Sequence, residues 1–280
     1  SEKFNLLQNA LASAERIITV LDHPSAARTG TVSDNRLPHI NTLEFDQVNF
    51  SYVSGQPVLK QISFGLNRGE SLGIAGRTGS GKSSIINLIA GFYEPDSGDI
   101  RINSKAYHAL PVQAVRSRTA LVMQDPVLFS GTIADNLKPA GSDTDTAVLE
   151  RALKNANCDF LFDKFDGLDT RIQENGQPLS SGEKQLVCIA RAFAFNPDLI
   201  IFDEATSYMD SHSEQAVHDA MNRLMKGRLS IIIAHRLSTV RECDKILLLR
   251  DGEIHESGTH DELVKKQGEY YHLLKKEKIS

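Results

Sequence analysis

Gly76-Arg77-Thr78-Gly79-Ser80-Gly81-Lys82-Ser83 is the stretch on which the reading of the fold turns. It has the spacing G-x-x-x-x-G-K-S. The apolar run at residues 71–75 predicts a buried strand feeding it, and residues 82–90 predict a helix leaving it. Gly76, Gly79 and Gly81 permit backbone angles that other residues avoid, so successive N–H groups can converge on phosphate oxygens. Lys82 is placed to reach the β- and γ-phosphates, and the Ser83 hydroxyl to ligate Mg²⁺. The helix that follows turns its positive end toward the same anion. Strand, glycine loop and helix together predict an α/β chain with a P-loop NTPase core.

Two further stretches lie downstream. Leu199-Ile200-Ile201-Phe202-Asp203-Glu204 is an apolar run ending in two acids. Its apolar residues bury a central strand, so the strand's C-terminal end delivers Asp203 to the phosphate site, to hold Mg²⁺ or its water. Glu204, next along, fits a general base or water-positioning residue for in-line attack on the γ-phosphate. Between this run and the phosphate loop stands Leu179-Ser180-Ser181-Gly182-Glu183. A helix start carrying Ser and Gly is suited to an anion.

The bulk properties narrow the function. A net charge of -5 argues against a general nucleic-acid surface, which needs a basic excess. Lys265-Lys266 and Lys275-Lys276 read as solvated helix faces. Cys158, Cys188 and Cys243 are widely spaced with no C-x-x-C, which fits reduced thiols rather than a disulfide frame or a zinc site. The histidines show no paired metal-ligand spacing. No apolar run approaches the ~18 residues of a membrane-spanning helix, and no signal peptide is visible.

Along the chain, residues 4–22 predict an amphipathic helix, with Phe4, Leu7, Leu11, Ala14, Ile18 and Leu21 facing one way. His23-Pro24 ends it, and a polar linker runs to about residue 37. Strands are expected at 43–52, 58–66 and 119–123. Helical periodicity between 132 and 165 predicts a helical subdomain inserted into the α/β core. Strands at 198–203, 229–234 and 245–250 alternate with a helix at 211–226. Asp251-Gly252 is a type I′ hairpin signal, and short helices close the chain after Gly258.

In this order the three motifs resemble the nucleotide-binding domain of an ATP-binding cassette (ABC) transporter, over residues 43–276 or so. The resemblance implies the ABC ATPase fold, in which a P-loop NTPase core carries an antiparallel β subdomain and an inserted helical subdomain at about residues 125–195. Residues 1–37 are then a helix and linker from the membrane-domain side, and 38–280 the nucleotide-binding domain. Leu179–Glu183 occupies the place of the family's Leu-Ser-Gly-Gly-Gln signature, followed by Lys184-Gln185 and Ile189-Ala190-Arg191-Ala192. By that resemblance Ser180, Ser181, Gly182 and Glu183, with Asp210, act in trans on ATP held by a second subunit. Ser181 departs from the first Gly of the signature. Glu183 departs from Gln and adds a negative charge near phosphate.

Other positions match the family one by one. Tyr52 resembles the aromatic that stacks on adenine, a contact of ~0.5–1.5 kcal/mol beyond area burial. The ATP-binding set is Tyr52, Gly76, Arg77, Thr78, Gly79, Ser80, Gly81, Lys82, Ser83 and Ser84. Gln124 resembles the Q-loop residue that contacts Mg²⁺ and the attacking water. His235 resembles the switch histidine that hydrogen-bonds the γ-phosphate and orients Glu204. Ser207-Tyr208-Met209-Asp210 stands where Ser-Ala-Leu-Asp is usual, with Tyr208 bulkier than Ala. The run from Gln124 to Ile133, together with Glu174-Asn175-Gly176, resembles exporter-type half-transporters, whose Q-loop segment meets the coupling helices of the membrane domain.

The resemblance implies an ATPase that uses ATP and Mg²⁺ to power export. It would work at the cytoplasmic face of a membrane, as the C-terminal part of a longer polypeptide. Its partners would be a transmembrane domain and a second nucleotide-binding domain, from another copy or a related chain. The rival reading is a non-catalytic ATP-binding subunit of a heterodimer, against which stand the intact Glu204 and His235. A soluble ABC ATPase acting on DNA or ribosomes would need a coiled-coil insertion, zinc cysteines or a basic surface. A GTPase would need an Asn-Lys-x-Asp base reader, which is absent.

Overall fold

The computed structural model describes residues 2–22, 37–139, 144–203, 211–234 and 237–277. The chain divides into two compact units, Ser1–Asp34 and Asn35–Ser280. The first holds helix α1 (Glu2–Leu21), on which Phe4, Leu7, Leu11 and Ile18 are exposed. Among the described residues no helix is long and apolar enough to cross a membrane.

The second unit opens with β1 (Thr42–Ser51) and β2 (Pro57–Asn67), then β3 (Ser71–Gly76), the phosphate loop and α2 (Lys82–Ile89). β4 (Ser97–Ile102) and β5 (Lys105–Ala106) return to β1, giving an antiparallel sheet in the order β2-β1-β4-β5. After α3 (Val112–Arg116) and β6 (Thr119–Val122) comes a block made of β7 (Gly131–Thr132), α4 (Ile133–Leu137), α5 (Thr146–Asn155), α6 (Phe160–Lys164) and β8 (Arg171–Ile172). It leads into α7 (Ser181–Phe195). The chain continues through β9 (Leu199–Asp203), α8 (Ser211–Met225), β10 (Leu229–Ala234), α9 (Leu237–Val240) and β11 (Lys245–Arg250). It finishes with β12 (Glu253–Gly258), α10 (His260–Lys266) and α11 (Glu269–Glu277).

The second sheet has six strands in the order β12-β11-β3-β10-β9-β6. All but β12 run parallel, so the ends of β3, β9, β10 and β6 lie on one edge. The apolar runs of β3, β9 and β10 are buried on both faces, as the centre of a parallel sheet requires, while β6 at the edge leaves Leu121 exposed. Alternate residues face opposite ways. Ile74, Ile201, Ile233 and Leu249 enter a core with Ile85 and Leu88 of α2 and with Phe45 and Ile62 of the antiparallel sheet. Ala75, Phe202, Ile232 and Leu248 enter a second core with Leu153, Ile189 and Val217 of α5, α7 and α8. The helix of the phosphate loop and helix α7 therefore cover opposite faces of one sheet.

Asp251 and Gly252 join β11 to β12 at φ values of 51° and 82°, the two positive angles a type I′ turn needs. The opposite edge of the sheet carries a buried acid. Asp198 is 4% exposed. It accepts hydrogen bonds from His39 Nδ1 at 2.8 Å and from the Ile40 amide at 3.2 Å. Arg68 and Arg118 approach it at 3.8 and 3.9 Å. These contacts fasten residues 39 and 40, and so the start of the second unit, to the turn before β9.

Candidate active site

β3 delivers the loop of residues 76–83, and no side chain caps the start of α2. Its Ncap is Gly81, left-handed at φ 103°. A side chain at Gly76 would put its Cβ 2.4 Å from the Leu249 carbonyl oxygen and 2.7 Å from Ser80 Oγ, at φ 152°. Only glycine lets the strand turn there. Lys82, 5% exposed, donates from Nζ to the carbonyls of Gly76 at 2.8 Å and Arg77 at 3.1 Å, drawing the loop into a ring. Arg77, Thr78, Gly79 and Ser83 are exposed; Ser80 and Ser84 are buried. Among the described residues Ser80 Oγ has no hydrogen-bond partner.

Tyr52 follows β1 and lies against α2. Its hydroxyl is 3.1 Å from Ser84 Oγ and accepts from Asn87 Nδ2 at 2.9 Å. Its ring meets Phe50 and Tyr93 edge-on, at centroid distances of 4.8 and 5.0 Å. Asp203 ends β9, level with Ile233, which is itself level with Ile74. Gln124, half-buried, lies just past the end of β6, the neighbour of β9. Gln124, Asp203 and the phosphate loop thus share the C-terminal edge of the parallel sheet, where such sheets bind ligands.

Ser180 begins α7 as its Ncap. Its Oγ accepts from the Glu183 amide at 3.3 Å, and Glu183 Oε2 accepts from the Ser180 amide at 2.9 Å, closing a capping box. The other carboxylate oxygen of Glu183 stands 3.7 Å from Lys164 Nζ. The added negative charge is therefore engaged within the chain. The Ser180 hydroxyl keeps its own proton to donate. Gly182 is buried because a Cβ there would sit 2.6 Å from that of Ser213 on α8, so this glycine also serves helix packing. Lys184 Nζ donates to the Asn175 carbonyl at 2.5 Å and holds the Glu174-Asn175-Gly176 turn to α7. Glu204, Ser207, Tyr208, Met209, Asp210 and His235 lie outside the described residues.

Several contacts were not singled out from the sequence. Gln185 Nε2 donates to the Met123 carbonyl at 3.2 Å. Arg191 donates to Val127 O at 3.1 Å and to Asn136 O at 2.7 Å, and its guanidinium lies 6.0 Å from the Phe129 ring centre. Arg191 and Phe129 line a groove of about 400 Å³ that also takes in Leu121, Met123, Val127 and Cys188. Burial pushes the Cys188 thiol up, against the opposing pull of Arg191, so it stays protonated beside the Val127 carbonyl. A smaller cavity of about 310 Å³ runs along residues 76–80, against Arg250, Asp251 and Glu269.

The prospective Mg²⁺ donors are a hydroxyl, a carboxylate and an amide oxygen (Ser83, Asp203 and Gln124). Among the described residues no group of three His, Cys, Asp or Glu side chains forms a metal cage. Hard oxygen donors without a full cage suit Mg²⁺, which keeps waters and shares its shell with phosphates.

A family profile described as ABC transporter matches residues 59–207. The chain is 39% identical over 277 residues to a Bacillus subtilis protein named "Probable multidrug resistance ABC transporter ATP-binding/permease protein", covering 99% of this chain and 41% of that one. It is 40% identical over 274 residues to a "Fatty acid ABC transporter ATP-binding/permease protein" of Mycobacterium bovis, covering 97% and 43%. The chain thus spans less than half the length of these relatives. Its fold superposes on a bacterial Atm1-family ABC exporter with ATP bound, at a TM-score of 0.85 and 31% identity, over 98% of this chain and 48% of the other.

Proposed function

Because the chain belongs to the ABC transporter family, with its ABC ATPase fold and ATP-binding domain, we propose that two such domains enclose ATP between them and couple its hydrolysis to export. The second domain is another copy of this chain or a related one. The observation that carries this reading is the placement of α2 and α7 on opposite faces of the sheet. Residues 180–182 are then offered to a neighbour's phosphates rather than to the chain's own. Two equivalent sites follow from a two-fold axis.

Tyr52 takes the adenine on the open face of its ring. The loop amides and the start of α2 take the phosphates, and Lys82 exchanges the carbonyls of Gly76 and Arg77 for the β- and γ-phosphate oxygens. Ser83, Asp203 and Gln124 hold Mg²⁺, which when bound neutralises charge on those oxygens. Glu204 orients the attacking water and draws its proton, and His235 holds the γ-phosphate and Glu204 in register. From the partner, Ser180 donates its hydroxyl proton, the helix start at Ser181 and Gly182 adds its dipole, and Asp210 lines the interface.

In this reading the groove beside Phe129 and Arg191 faces a membrane domain of the same longer polypeptide, and the ATPase works at the cytoplasmic face. Closing two domains over ATP draws the attached halves together, and hydrolysis lets them part. The expected signature is a Glu204→Gln variant that binds ATP, loses hydrolysis and accumulates as a closed dimer in light scattering. A variant that hydrolyses at the wild-type rate would remove Glu204 from this role.

A further inference from the structure

We propose that Gln185 is a positioning residue that locks the loop carrying Gln124 to helix α7, so that a chain's own nucleotide site and the phosphate contact it offers its partner move as one piece. The inference rests on the functional reading above. Gln185 lies one helical turn past residues 180–182 and has no exposed surface. Its Nε2 donates to Met123 O at 3.2 Å. That carbonyl belongs to the peptide bond joining Met123 to Gln124, so the side chain grips the peptide unit that sets the direction of Gln124.

Two more side chains on the same face of α7 grip the loop on the far side of Gln124. Cys188 Sγ donates to Val127 O at 3.9 Å, and Arg191 Nη1 to the same oxygen at 3.1 Å. Steps of three residues along a helix keep them in a row. Gln124 is thereby bracketed by carbonyls at 123 and 127, both held from one helix. The start of that helix is the segment carrying Ser180, Ser181 and Gly182.

Packing alone does not account for Gln185. Among the described residues its Oε1 is buried without a hydrogen-bond partner, which costs on the order of 1–3 kcal/mol relative to a satisfied or apolar group. Its neighbours along α7, Leu186 and Ile189, are buried and apolar. Methionine would fill the same space without the orphan oxygen. What methionine lacks is the donor to Met123 O.

The test compares Gln185→Met, Gln124→Ala and the double variant in the 280-residue chain, by ATP hydrolysis, thermal midpoint and amide exchange. Gln185→Met is expected to lower kcat about 3- to 30-fold, with KM for ATP within about twofold and the midpoint unchanged or raised. Exchange over residues 121–129 should quicken. If Gln185 acts through Gln124, the double variant is no slower than Gln124→Ala alone. A wild-type kcat in Gln185→Met beside a loss in Gln124→Ala would overturn the inference, and so would additive losses. A wild-type kcat in Gln124→Ala would instead unseat the role given to Gln124, and this inference with it. Should the wild-type chain not hydrolyse ATP, exchange decides: unchanged protection over residues 121–129 in Gln185→Met overturns the coupling.

Discussion

Ser84 and Asn87 hold the Tyr52 hydroxyl, Phe50 and Tyr93 pack perpendicular to its ring, and 44% of the residue remains exposed. A ring held this way loses little freedom when a base stacks on it. Tyr52→Ala is expected to raise KM for ATP about 3- to 10-fold and leave kcat nearly unchanged, the loss of stacking worth ~0.5–1.5 kcal/mol. Steady-state titration of ATP checks it; an unchanged KM would take the adenine away from Tyr52. The phosphate loop was read from its own spacing, and Tyr52 and Gln124 from the family resemblance; the structure puts Gln124 and the loop at one edge of the parallel sheet. The role of Gln185 could be read from neither, since its partner is 62 residues away. One signal was present: a glutamine inside the buried stripe of Leu179, Gly182, Leu186 and Ile189 is out of place unless something binds it. Read alone, Glu183 is only an added negative charge. Its charge answers to Ser180 and Lys164 before any phosphate.

At the scale of elements, β3, β9, β10 and β11 were legible because burial makes them continuous apolar runs. The hairpin at Asp251-Gly252 was legible from turn chemistry. β4 and β5 were not: Ser97-Gly98-Asp99-Ile100-Arg101-Ile102 has two buried residues, and its strand character comes from pairing with β1. The two-residue ladder of β7 and β8 inside the helical block is too short to carry a period. Asp198 was read only as the first residue of the strand at 198–203; the strand begins one residue later, at Leu199, and the acid stands just before it. Its carboxylate ties His39 and Ile40 to the sheet with two arginines close by. Asp198→Ala leaves the Ile40 amide without its acceptor and uncouples the arginines. The variant is expected to lose about 2–4 kcal/mol of stability, read as a lower urea midpoint. A midpoint within error of the wild type would mean that the start of the second unit is held by other contacts.

For the whole molecule, the sequence supplied the order of the motifs but not their sides. Strand alternation places α2 on one face of the central sheet and α7 on the other. In the proposed reading, that separation makes a lone chain half of each of two sites. Hydrolysis should therefore depend on chains meeting. The most direct test is the Mg²⁺-dependent rate of ATP hydrolysis per chain, measured across a wide range of chain concentration, with Glu204→Gln as the blank. The expected result is a rate per chain that climbs with concentration and then levels as dimers saturate, and that vanishes in the variant. A rate per chain that stays constant down to the lowest concentration, with light scattering reporting monomers throughout, would contradict it.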